Sequence, residues 1–218
     1  MADIFREVDE DIRRDKAAEF WSKYQNWIIV FAVVIVLATG GYRYWDYQRR
    51  IAAEEAGAKF EAALQFSQQG KKEEAEAAFG ALARSSEGGY AVLARLRAAA
   101  EAGSQKSEEG VKLFEAIGAD ATVDKNFRDL ARLRAAILAI DTASLEDSRK
   151  RLEPLAGADG VYRHTARELL ALAAFRVEDY DMASKWLDNI IIDAQSPGSV
   201  RQRATTLQAL VAAGKPAK

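Results

Sequence analysis

The side chains that most often carry catalysis are scarce in this chain. His164 is the one histidine and cysteine is absent, which excludes disulfides, thiol chemistry and a Cys/His metal cluster. His164 stands beside Arg163 in a stretch with helical character. A place on a solvated helix face is expected for it rather than a role as acid or base. Carboxylates come in adjacent pairs, Glu73–Glu74, Glu108–Glu109 and Glu146–Asp147. Each pair falls near the start of an expected helix, where negative charge complements the helix dipole, so metal binding is not needed to explain them. There is no glycine-rich phosphate loop. These residues predict a protein that is not an enzyme, with no cofactor, no metal and no small-molecule substrate. Nucleic acid is not an expected partner either. Taking the five basic and seven acidic residues before Arg43 from the chain's 31 and 33 leaves 26 of each, with no basic stripe.

The elements that would position these side chains begin with the stretch NWIIVFAVVIVLATGGYRYW at residues 26–45. Between Lys23 and Arg43 lie 19 uncharged residues. They make about 28 Å of helix against a hydrocarbon core of about 30 Å. Its centre is Trp27, Ile28, Ile29, Val30, Phe31, Val33, Val34, Ile35, Val36 and Leu37, with Ala32 the one small interruption. Insertion of the nine aliphatic and Phe residues contributes roughly −3 to −5 kcal/mol. Tyr24 and Trp27 lie at one end and Tyr42, Tyr44 and Trp45 at the other, where aromatic rings favour the headgroup level. Three interpretations compete: a buried core helix, a cleaved signal peptide and a permanent anchor. A core helix keeps a polar face, and this run has none. LATGG offers small residues for cleavage, yet 23 residues of mixed charge precede the run instead of a short basic segment. An uncleaved anchor over 24–43 is the expectation. The pair Gly40–Gly41 also suits close helix packing in a membrane.

The stretch 1–27 places Phe5, Val8, Ile12, Ala17, Phe20, Trp21 and Tyr24 at steps of mostly three and four, so that residues 1–23 read as an amphipathic helix leading into the span. Its polar face is mixed in sign. Five basic residues precede the span and four follow within twenty positions, so the positive-inside rule does not choose an orientation. A short arm before a large domain tends to stay in the cytoplasm.

The remainder, 44–214, reads as paired helices, followed by a tail at 215–218. ARLRAA occurs at 94–99 and 131–136, and GAD at 118–120 and 157–159, spacings that signal duplication. Gly70 and the stretches 85–89, 102–104, 118–120, 156–160 and 196–199 read as turns. The second helix of each pair carries one pattern, a small residue followed by large ones four and seven positions on. It runs Ala75, Phe79, Leu82; Gly110, Phe114, Ile117; Ser148, Leu152, Leu155; and Ala183, Leu187, Ile190. Twelve residues before each small position is an alanine: Ala63, Ala98, Ala136 and Ala171. Antiparallel helices approach closely where side chains are small, and stacked pairs then share one core. Ala136 is expected against Ser148, and Ala171 against Ala183. A last helix near 199–213, with Val200, Ala204, Leu207 and Val211 on one face, should cap the array. The fold class expected is therefore all-α: an amphipathic arm, a single transmembrane helix and a TPR-like α-solenoid of divergent repeats.

DIFREVDEDIRRDKAAEFWSKY together with the following anchor resembles the bacterial family of ancillary Sec translocon subunits, and the resemblance extends over the repeats. It implies a single-pass inner-membrane protein with its N-terminus in the cytoplasm and its repeat domain in the periplasm. It also implies partners: the Sec translocon, a membrane-anchored periplasmic prolyl isomerase and newly exported clients. A periplasmic TPR scaffold for cell division or envelope assembly is the alternative, because fold alone does not choose function. Phe60, Leu64, Leu133, Ile137, Leu172 and Phe175 are expected to face the concave side and form a partner groove. Ordinary core placement is the competing expectation for the same six.

Overall fold

The computed structural model describes residues 2–214, with side chains from Arg14 onward apart from Ala17. The tail at 215–218 and the arm side chains Phe5, Val8, Ile12 and Ala17 lie outside the described residues. All regular structure among them is helical: α1 (Ala2–Gln68), α2 (Lys72–Ser85), α3 (Gly89–Gln105), α4 (Ser107–Ala119), α5 (Lys125–Ala139), α6 (Leu145–Leu152), α7 (Arg163–Arg176), α8 (Tyr180–Ile191) and α9 (Gly198–Gly214), with a 3-10 turn at Glu153–Leu155. The chain divides into two units, Met1–Glu54 and Glu55–Lys218.

In the first unit the run from Trp27 to Leu37 presents large apolar side chains to the outside throughout its circumference. The second unit is a stack of helix pairs. Neighbouring helices from α2 to α9 pack in sequence order, and α3 touches α5, α5 touches α7, and α7 touches α9. The first helices of successive pairs therefore form one layer, with the second helices packed against it. Ala56, Phe60 and Ala63 at the end of α1 supply the first helix of the first pair, packing with Ala75, Phe79 and Leu82 of α2.

The twelve small and large positions of the second helices are all buried. The local chemistry explains where each helix starts. Asp124 accepts from the Asn126 amide at 2.8 Å and Asp179 from the Met182 amide at 3.0 Å. Ser144 accepts from the Asp147 amide at 3.0 Å and donates its hydroxyl to the Asp147 carboxylate at 2.7 Å. These caps satisfy amides that have no partner within the helix. The acidic pairs do sit in first turns, of α2, α4 and α6. At the end of α7 the Asp179 amide donates to the Ala174 carbonyl and the Glu178 amide to that of Phe175. That wrap holds Glu178 at φ 62°, a conformation suited to glycine.

Two sequence expectations are corrected here. Residues 102–104 are not a turn: Gly103 lies inside α3, which runs to Gln105, and a single residue separates it from α4. Glycine serves close approach instead. A Cβ on Gly110 would stand 2.8 Å from the Gly103 backbone nitrogen and 2.9 Å from a Leu138 methyl. The alanine buried in α3 is consequently Ala99, with Ala98 half-buried against the preceding pair.

Candidate membrane segment and protein-binding surface

The apolar run sits in a helix long and apolar enough to cross a membrane. The most apolar 18-residue window between Arg14 and Gln68 has a mean hydropathy of 1.7, and none of it is buried. Trp27 is 74% exposed, Phe31 67% and Leu37 68%. At about 25 cal/mol per Å2 of apolar surface, leaving that many large side chains in water is unfavourable by many kcal/mol. The described residues leave the run uncovered. Aromatic and basic groups are paired at both ends. The Lys23 ammonium lies 5.7 Å from the Tyr24 ring and the Arg49 guanidinium 4.6 Å from the Trp45 ring. The Phe20 ring packs on Tyr24 at a tilt of 45°, with centroids 4.7 Å apart. Arg50 pairs with Asp46 at 2.7 Å. Gly40 and Gly41 have open space around them.

The six residues expected to form a groove divide between core and surface. Leu133 is buried beside Leu152 and Leu170. Phe60 and Leu64 are half-buried against the first pair, with the Phe60 ring 5.2 Å from Phe79 and 6.0 Å from Tyr90. Phe175 packs on the last cluster, 5.9 Å from Tyr180. Only Ile137 and Leu172 present substantial surface, 38% and 39% exposed, on the touching helices α5 and α7.

His164 is a correction of another kind. It is buried, not solvated. Its Nδ1 stands 3.8 Å from Asp193 and has no hydrogen-bond partner. Burial, then the charge of Arg163, hold its pKa below the ordinary 6.5, against the opposing pull of Asp193. The ring is thus a neutral packing element among charged neighbours. Asp193 itself is drawn down to about 2, chiefly by the Gln195 amide and then by Arg163. Arg163 and Arg167 reach it at 3.2 and 3.1 Å. Arg167 also donates to the carbonyls of Ala156 and Asn189, and Arg201 to those of Asp193 and Ser196. The group ties the start of α7, the end of α8 and the start of α9 together. Sequence reading missed it, because Asp193 lies 26 and 30 residues from Arg167 and Arg163 and the participants share no motif.

Among the described residues no three His, Asp or Glu side chains converge as a metal site. The surface depressions are shallow and mixed. One, of about 470 Å3, lies between α4, α5 and α6 and is lined by Glu115, Arg132, Asp147, Lys150 and Arg151, where Arg151 is already paired with Glu115 at 2.8 Å.

Comparison with the curated proteins and with solved structures finds no match for the chain. The tetratricopeptide repeat-like domain family matches residues 18–170, which takes in the end of the arm, the apolar run and the helix pairs as far as α7. With the all-helical pairs, their small-to-small contacts and the shared core, this match over most of the sequence shows that the chain belongs to the tetratricopeptide repeat-like domain family.

Proposed function

We propose that this protein is a non-catalytic accessory of the Sec translocon, held in the bacterial inner membrane by one helix. In this reading residues 1–23 are cytoplasmic, 24–43 cross the bilayer, 44–214 form the periplasmic repeat domain and 215–218 a tail. The repeats hold periplasmic partners, a membrane-anchored prolyl isomerase among them, beside clients emerging from the translocon. One observation carries the proposal. The apolar run, bare on every side, falls within the same family match as the repeats, so anchor and scaffold belong to one architecture. Repeat domains of this family typically act as non-catalytic scaffolds, and an exposed apolar helix finds its solvent in lipid. The arm's sequence supports the choice of the translocon through its resemblance to the ancillary subunits.

The test is crosslinking in native membranes, followed by purification of the full chain in detergent. Translocon subunits should co-purify in a crosslinker-dependent manner. Recovery of division or outer-membrane assembly proteins in their place would contradict the assignment and support the envelope alternative.

A further inference from the structure

Three arginines, one aspartate and the buried histidine meet where α8 passes into α9. The loop 193–197 turns on Asp193. Its Oδ1 accepts from the Gln195 amide at 2.9 Å, and its carbonyl accepts from the Ser196 amide at 2.9 Å. Its other carboxylate oxygen, Oδ2, accepts from Arg163 at 3.2 Å and from Arg167 at 3.1 Å, both on α7. Arg201, in the first turn of α9, donates to the carbonyls of Asp193 and Ser196 at 3.2 and 3.1 Å. These bonds fasten the loop, and with it the base of α9, to α7.

The fastening is incomplete. Three buried polar atoms within it lack a hydrogen-bond partner: His164 Nδ1, Ser196 Oγ and Arg201 Nε. An unpaired buried polar group raises the energy of the closed form, so local opening is easier here than in a fully bonded junction. The far half of α9 is held differently. Gln208 donates to Ser184 at 2.9 Å, and Gly214 lies against the Tyr180 ring. Both of those contacts are free of net charge.

The charges acting on the His164 ring are Arg163 and Arg167 on its own helix, Asp193 in the loop and Arg201 on α9. None of these comes from α5 or α6. Three are cations and one is an anion, so a proton on the ring adds a fourth cation. Asp193 cannot absorb it. Its Oδ2 stands 3.8 Å from Nδ1 and is already shared by Arg163 and Arg167, so the imidazolium gains that oxygen only by displacing an arginine.

We propose that His164 is the trigger of an acid-sensitive latch: protonated, it releases the loop 193–197 from α7 and frees the first turns of α9, while the far half of α9 stays seated. Once the base lifts, the ring is hydrated and keeps its proton. Burial and then Arg163 hold the closed-form pKa below 6.5, whereas a hydrated imidazole titrates near 6.5. Protons therefore favour the open form as pH falls below about 6.5. Val200, buried in the last cluster, is uncovered by the same movement. The latch acts on the fold itself and does not depend on which partner the repeats hold.

The test is hydrogen exchange read by mass spectrometry on the full chain in detergent micelles, at about pH 7 and about pH 5.5, with exchange times scaled for the intrinsic rate. Protection across 193–204 should fall at the lower pH by up to about tenfold, the limit for an imidazole that titrates one unit higher. Protection in α2 to α5 should not change. His164→Gln should keep 193–204 protected at both values, with α2 to α5 reporting that the variant is folded. His164 is the one histidine, so NMR of protein carrying isotope-labelled histidine reads its titration directly in the wild type. That titration should share its midpoint with the loss of protection. Constant protection at 193–204 in the wild type, the same loss in folded His164→Gln, a loss spread evenly over every pair, or separate midpoints would each overturn the latch.

Discussion

Substituting Gly110 by alanine puts a single methylene-sized group where two helices cross. The added Cβ would meet the Gly103 backbone nitrogen at 2.8 Å and a Leu138 methyl at 2.9 Å. Ordinary carbon contacts lie at about 3.5–4.0 Å, so α3 and α4 must separate by roughly 1 Å, because a backbone cannot rotate aside. That movement loosens the cluster around Ala99, Phe114 and Ile117. Overpacking of this kind costs about 1–3 kcal/mol, and the backbone contact argues for the upper end. Alanine's better helix propensity offsets about 1 kcal/mol, leaving a net loss of roughly 2 kcal/mol. Gly80 is the internal control. It also lies within a helix, and its new Cβ would meet only the end of the Arg84 side chain at 3.6 Å, so Gly80→Ala should gain up to about 1 kcal/mol. The two variants are compared by urea and thermal unfolding of the full chain in micelles, followed by circular dichroism. A gap of roughly 3 kcal/mol corresponds to melting temperatures about 6–12 °C apart for a domain of this size. Equal stabilities, or a Gly110→Ala protein firmer than wild type, would refute close approach at this crossing.

Ala171 is fully buried with Ala183 in the last cluster, so Ala171→Leu should destabilise by about 1–3 kcal/mol in the same unfolding assay. Glu178→Gly relieves a left-handed backbone at φ 62° and should raise stability by up to about 1 kcal/mol. The His164 imidazole titrates below 6.5 in the fold. The unfolded chain therefore binds more protons just below pH 6.5, and stability should be full above that pH and decline as pH falls towards the folded value. His164→Gln should flatten this decline in unfolding curves taken between pH 7 and 5. Asp120 and Asp193, both lowered to about 2, act in a separate window, contributing stability above about pH 4 that disappears as pH falls towards 2.

Much of the repeat architecture is legible in the sequence because small-then-large spacing on the second helices reports contact directly. Ala75, Phe79 and Leu82 and their three sets of counterparts are buried as that spacing requires. The first helices are less legible. Periodicity marks their apolar residues but not which of two apolar-tolerant faces is core, so Leu133 is covered while Ile137, four residues on, is open. The offset between Ala98 and Ala99 arises because one residue joins α3 to α4 whereas five join α5 to α6. A constant twelve-residue spacing therefore cannot hold across both. Gly103 reads as a breaker because glycine favours turns, but the same lack of a side chain permits backbone contact. His164 could not be placed, since Asp193 and Arg201 come from distant loop and helix starts. The apolar run of α1, by contrast, is plain from composition.

The absence of cysteine permits a direct measurement of the membrane arrangement on which the whole account rests. Single cysteines are introduced at Asp15 in the arm and at Gln195 in the loop before α9, both exposed, and treated with a membrane-impermeant maleimide in intact spheroplasts. The account predicts that Gln195→Cys is labelled at once, that Asp15→Cys is labelled only after the membrane is permeabilised, and that both proteins stay with the membrane in alkaline carbonate. Labelling of Asp15→Cys alone in intact spheroplasts, or release of the full chain by carbonate, would contradict it.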